Sequence, residues 1–104
     1  MPDFSYRHEA VAAPAIPSRI RFAAGNSLRR GLVIAASDAQ AVWIFNSGGT
    51  ANTGVIAIFL APATLVMPFR DWGEIIQQEI WIGIAGGPLT VHGIEYFRIP
   101  QGER

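Results

Sequence analysis

The chain has 104 residues, no cysteine and zero net charge, with 50% hydrophobic and only 15% charged residues. That length suits one domain whose core needs no staples, and the missing cysteines exclude disulfides and thiolate metal sites. Soluble domains carry roughly 25% charged residues, so this chain is short of surface charge, and part of its apolar excess is expected in a subunit interface.

Residues 1–17 hold Pro2, Pro14 and Pro17 among several alanines. Proline pushes the residue before it into an extended conformation. The segment therefore reads as an extended N-terminal arm with little core of its own, carrying one strand at Arg7–Ala12. Its first ten residues, MPDFSYRHEA, lack the basic start and apolar stretch of a signal peptide. Residues 18–98 read as the folded domain and residues 99–104 as a polar tail. Ser18–Ala23 alternates Ile20 and Phe22 with Arg19 and Arg21, the period of a half-buried strand. Gly25-Asn26-Ser27 is a turn cluster.

From Gly31 to Phe69 the only formal charge is Asp38. A core, a membrane or a partner must hide so apolar a stretch. Its longest run, residues 55–69, falls short of the roughly 20 residues a spanning helix needs, and Pro62 and Pro68 interrupt it. No membrane partner is expected. Strands are expected at Gly31–Ala36 and Ala41–Asn46, joined as a hairpin at Ser37–Gln40. The polar loop Ser47–Gly54 follows. Val55–Leu60 and Leu65–Phe69 read as a buried strand pair with its turn at Ala61-Pro62-Ala63. Asp71 and Glu74 stand at capping-box spacing, which allows one helical turn. Glu79–Ile84 and Leu89–Phe97 complete the set, with a turn at Gly86-Gly87-Pro88 and Gly93 as a candidate bulge. About eight short strands at this spacing define an all-β chain, a single β-sandwich of jelly-roll-like or Greek-key type.

No catalytic constellation can be assembled. His8 and His92 lie far apart without metal-ligand neighbours at a recognised spacing. No serine sits in a G-x-S-x-G elbow. Ser47-Gly48-Gly49-Thr50 lacks the lysine and helix of a phosphate-binding loop. No cofactor is implied. All eight basic residues are arginine, a residue favoured at interfaces. Arg19, Arg21, Arg29 and Arg30 form a local cluster that reads as a solvated or partner-facing edge. With zero overall charge, direct nucleic-acid binding is not expected. Trp43 and Trp81 fall mid-strand, where core packing is the default. Trp72, beside Asp71 in a turn, is a candidate hot spot or sugar platform, with burial against the end of the sandwich the favoured reading.

The stretch from Ala24 to Glu95 resembles small tailed-phage virion proteins. The matching residues are Asn26, Arg29 and Arg30 before LVIAA, then VWIFNSGGTA, Leu60-Ala61-Pro62, Ile80-Trp81-Ile82, Leu89-Thr90-Val91 and Glu95. The chain departs from that pattern at Ala35-Ala36, where an asparagine is common. The resemblance implies a β-sandwich on the phage particle, often a head decoration (cement) protein and sometimes a tail component. The expected function is thus structural. The chain would be assembled in the host cytoplasm, bind the major capsid protein on the head exterior and reinforce joints between capsid subunits. The arm would dock along a neighbour, and copies would associate with one another, as a trimer on capsid three-fold positions. Candidate contact residues are Phe4, Tyr6, Arg7, Arg19, Arg21, Arg29, Arg30 and Trp72. The alternative is a tail- or fibre-associated module that binds carbohydrate.

Overall fold

Each alternating or short apolar run forms a strand in the computed structural model, which describes residues 4–49, 53–86 and 88–98. In chain order the strands are β1 (Phe4–Ala13), β2 (Ile20–Ala23), β3 (Arg29–Ala36), β4 (Ala41–Phe45), β5 (Val55–Leu60), β6 (Ala63–Pro68), β7 (Ile80–Ile84) and β8 (Leu89–Arg98). Between β6 and β7 lie a short helix, α1 (Phe69–Trp72), and a 3-10 turn, Gly73–Gln77. The helical turn is therefore present. Its capping box is not: neither helical start has a side-chain cap, and Asp71 lies inside α1. The expected tail at residues 99–104 lies outside the described residues.

The strands form two four-stranded antiparallel sheets, ordered β1-β8-β3-β6 and β2-β7-β4-β5. This is the strand order of a jelly roll, two Greek keys wrapped into a sandwich. It corrects two expected pairings. β3 and β4 belong to different sheets, as do β5 and β6, so Ser37–Gln40 and Ala61-Pro62 are crossovers rather than hairpin turns. Among the described residues, β4 and β5 are the only consecutive strands that pair, from Ala41↔Leu60 to Phe45↔Val55. The first segment is corrected too. Residues 4–13 pair along their whole length with β8, from Phe4↔Arg98 to Ala13↔Leu89. They form an edge strand of the sandwich rather than a separate arm. Ala13 is the only buried side chain described on that strand, which explains its arm-like composition.

Leu32, Ile34, Met67 and Val91 from one sheet meet Val42, Ile44, Ile80, Ile82 and Ile84 from the other, all fully buried. Phe22 reaches across from β2 onto Gly93 of β8. Gly93 is not a bulge. The ladder runs through it without a shift on both sides, opposite Glu9 and opposite Ile34.

A buried ion pair fastens one end of the core. Arg29 and Glu95 are both 0% exposed. Arg29 Nε and Nη2 donate to Glu95 Oε1 at 3.0 and 2.8 Å. Nη1 donates to the carbonyls of Ile76 and Gln78 at 2.6 and 2.8 Å, and Nη2 also reaches the Ala24 carbonyl. Every guanidinium donor is thus used. The second carboxylate oxygen accepts from Arg7 Nε and lies 3.2 Å from Arg7 Nη2. Satisfaction of this kind is what makes a buried charge tolerable. It also removes Arg29 from the partner-facing set.

Candidate interaction surfaces

Along β8, Leu89, Val91, Gly93 and Glu95 point inward, leaving Thr90, His92, Ile94 and Tyr96 on the outer face. By register, β1 adds Tyr6 and His8, β3 adds Gly31, Val33 and Ala35, and β6 adds Thr64, Val66 and Pro68. Among the described residues no carboxylate stands on this outer face, and its arginines, Arg30 and Arg98, lie at one end. Tyr6 is 73% and Val66 58% exposed. His8 and His92 stack here with ring centroids 6.0 Å apart. The sequence does not join them, because the β1–β8 ladder alone brings them together. A shallow depression of about 350 Å³ lies over Gly31, between Val33, Val66, Pro68 and Tyr96, with Arg30 at its rim. Arg30 itself stacks over Phe69 at 4.5 Å.

The outer face of the second sheet carries a separate aromatic cluster. Trp43, Phe45 and Trp81 alternate with the inward isoleucines, so the two tryptophans lie outside the main core where core packing was expected. Phe45 is nonetheless fully buried, because the Arg19 guanidinium lies over its ring at 3.5 Å. Arg19 Nη1 donates to the carbonyls of Ser47 and Thr53 at 3.0 and 3.1 Å. Partial desolvation lowers the Arg19 pKa from that of a free guanidinium, and it stays a cation at neutral pH. Gly48 lies against Trp81 so closely that a Cβ there would come within 2.9 Å of the ring. Arg19 therefore pins the β4–β5 loop onto this cluster. Arg19→Ala is expected to cost about 2 kcal/mol by urea denaturation. Amide exchange should quicken at Ser47–Gly49 and Thr53–Gly54; unchanged exchange there would mean that Arg19 does not hold the loop.

The basic cluster of the sequence does not form one patch. Arg19 and Arg21 lie on the second sheet, Arg21 exposed opposite Trp81. Arg29 is buried, and Arg30 borders the first sheet. Arg7 sits on the β1 edge with its side chain 56% exposed, bound to Glu9 and Glu95. The Phe4 side chain lies outside the described residues. Trp72 is half-buried and packs on the core beside Phe69 and Ile75.

The apolar run of residues 55–69 is not hidden by the core as expected. β5 and β6 lie on the same side of the sandwich, one at the end of each sheet. There Ile58 is 51%, Leu60 75% and Val66 58% exposed. Among the described residues no three His, Asp or Glu side chains are grouped as metal ligands, and no helix is long and apolar enough to cross a membrane.

What the fold and these surfaces define is a jelly-roll domain with a charge-poor face and an apolar lateral edge. No protein-family model, curated protein or solved structure matches the chain.

Proposed function

We propose that this chain is a structural protein of a tailed-phage particle. In this reading it binds the major capsid protein on the outside of the head and reinforces contacts between capsid subunits. The observation that carries the reading is the exposure of apolar side chains on both edge strands of the stretch that holds one formal charge, Val66 on the outer face of the first sheet and Ile58 and Leu60 on the outer face of the second. Exposed apolar surface of this kind marks a site that another protein covers. The jelly-roll topology and the resemblance of residues 24–95 to small virion proteins support the same reading.

In this reading the docking surface is the outer face of the first sheet at its β6 side, around Val66, in place of a free arm. Many copies bound to a lattice reinforce it together even when each contact is weak. The tail or fibre alternative, with carbohydrate on Trp72, needs an exposed ring, and Trp72 packs on the core.

The first experiment is the copy number per purified virion by quantitative mass spectrometry. A number comparable to the major capsid protein supports head decoration. A few copies indicate the tail or portal, and none defeats the virion reading. Val66→Glu places a charge in the proposed contact and should weaken capsid binding at least about tenfold, or 1.4 kcal/mol. Undiminished occupancy by a folded Val66→Glu protein would remove this face from the contact. Deleting residues 1–17 is the poorer probe, because it takes away β1 and with it Arg7, a partner of buried Glu95.

A further inference from the structure

β1, β6, β2 and β5 end the two sheets. An open edge offers unpaired N–H and C=O groups, and proteins blunt such edges with shortness, bulges, proline or charge. β2 is four residues long and its ladder shifts register. The β4–β5 ladder also shifts, and β6 ends on Pro68. β1 has neither shortness, a register shift nor proline, and its two charges, Arg7 and Glu9, are of opposite sign. It runs for ten residues, contains no proline and keeps an unbroken ladder to β8. Among the described residues no strand pairs with its other side.

We propose that β1 pairs antiparallel with β1 of a second copy of this chain, about a two-fold axis at His8. The two β1-β8-β3-β6 sheets then join into one. The charges on β1 select the register. Arg7 and Glu9 flank His8 and share the inner side of the strand, 3.0 Å apart, with side chains 56% and 30% exposed. A slip of one residue would set the inner face of one copy beside the outer face of the other. Among the registers that keep the faces matched, one sets Arg7 against Arg7 and another sets Glu9 against Glu9. Like charges directly opposite are unfavourable. With His8 opposite His8, each Arg7 faces the other copy's Glu9, and residues 4–12 pair along both strands.

The outer faces of the two copies become continuous, and the apolar β5/β6 edges remain at the far sides. The edge thus favours a two-fold pair over the expected trimer. The inference goes beyond the capsid reading and does not rest on it.

The chain has no cysteine, so one introduced thiol reports on one position. Directly opposed residues in such a ladder have Cα atoms about 4.5–5.5 Å apart, within disulfide range. In the full chain, His8→Cys should give a covalent dimer on mild oxidation. Ala10→Cys, which would face Tyr6 of the other copy, should give about tenfold less. Sedimentation equilibrium should show a concentration-dependent dimer for the unmodified chain. Glu9→Arg, which sets Arg7 against an arginine, should raise its dissociation constant at least about tenfold with an unchanged circular dichroism spectrum. An unmodified chain that stays monomeric up to about 1 mM, where association is worth only about 4 kcal/mol, would overturn the proposal. Equal cross-linking at positions 8 and 10 would overturn it as well.

Discussion

Glu95→Ala should lower stability by about 3–5 kcal/mol, because it leaves the fully buried Arg29 guanidinium without its counter-charge. Two of the five Arg29 donors end on Glu95, and the others are fixed on backbone carbonyls of Ala24, Ile76 and Gln78. The group cannot turn to solvent without breaking those contacts. Arg7 fares better, since its side chain is half exposed and Glu9 is at hand. For a domain of this size, each kcal/mol moves Tm by roughly 4–8 °C, so a fall of at least about 12 °C is expected. Arg29→Met should cost a similar amount by stranding the carboxylate. The double replacement Arg29→Met/Glu95→Leu removes both charges and should be more stable than either single variant. It should not reach the parent, because the three carbonyls lose their donor. Thermal melts of the four proteins decide the matter. A Glu95→Ala melt within about 3 °C of the parent would mean that the pair does not hold this end of the sandwich together.

That pair also shows where sequence reading stops. The strands were legible, because alternating and short apolar runs carry the period of a sheet. Their partners were not. A jelly roll pairs the first strand with the last, so Arg7 and Glu95 meet across 88 positions of chain. Nothing local announces such a ladder, and neighbouring apolar runs such as residues 31–36 and 41–46 look like a hairpin when each in fact crosses to the other sheet. The choice between Arg29 and Arg30 was hidden for a different reason. Period two counted back from Ile34 and Leu32 puts Arg30 inside. A register shift between Arg29 and Gly31 reverses that, burying Arg29 and leaving Arg30 at the rim. The sequence pattern of residues 24–95 contains both Arg29 and Glu95 without joining them. Trp43 and Trp81 were unreadable because β4 and β7 are apolar on both faces, so alternation gave no sign of which face was inner. The candidate contact surface was legible only as an imbalance, too much apolar sequence for too little charge. Its place on β6 follows from that strand's position at a sheet edge, which is a property of the topology.

Gly93 offers the second large effect, and an internal control lies on the next strand. A Cβ at Gly93 would overlap the tip of the Phe22 ring and lie 2.7 Å from the Val33 carbonyl oxygen. Gly93→Ala should therefore cost about 2–3 kcal/mol as an overpacked core position. A Cβ at Gly31, in the same sheet, would find its nearest neighbour, Tyr96, at an ordinary 3.6 Å. Glycine within a strand weakens it, so Gly31→Ala should be neutral or slightly stabilising. Phe22→Leu shortens the ring that presses on Gly93. In the pair Gly93→Ala/Phe22→Leu the loss should be smaller than the sum of the two single losses, a coupling expected of residues in contact. The rescue stays incomplete because the Val33 carbonyl belongs to the backbone and cannot withdraw. Urea denaturation of these variants separates the two explanations for a strand glycine. Equal losses at positions 31 and 93 would point to backbone freedom. A loss confined to position 93, and relieved by Phe22→Leu, assigns Gly93 to the crossing point where one sheet receives the Phe22 ring of the other.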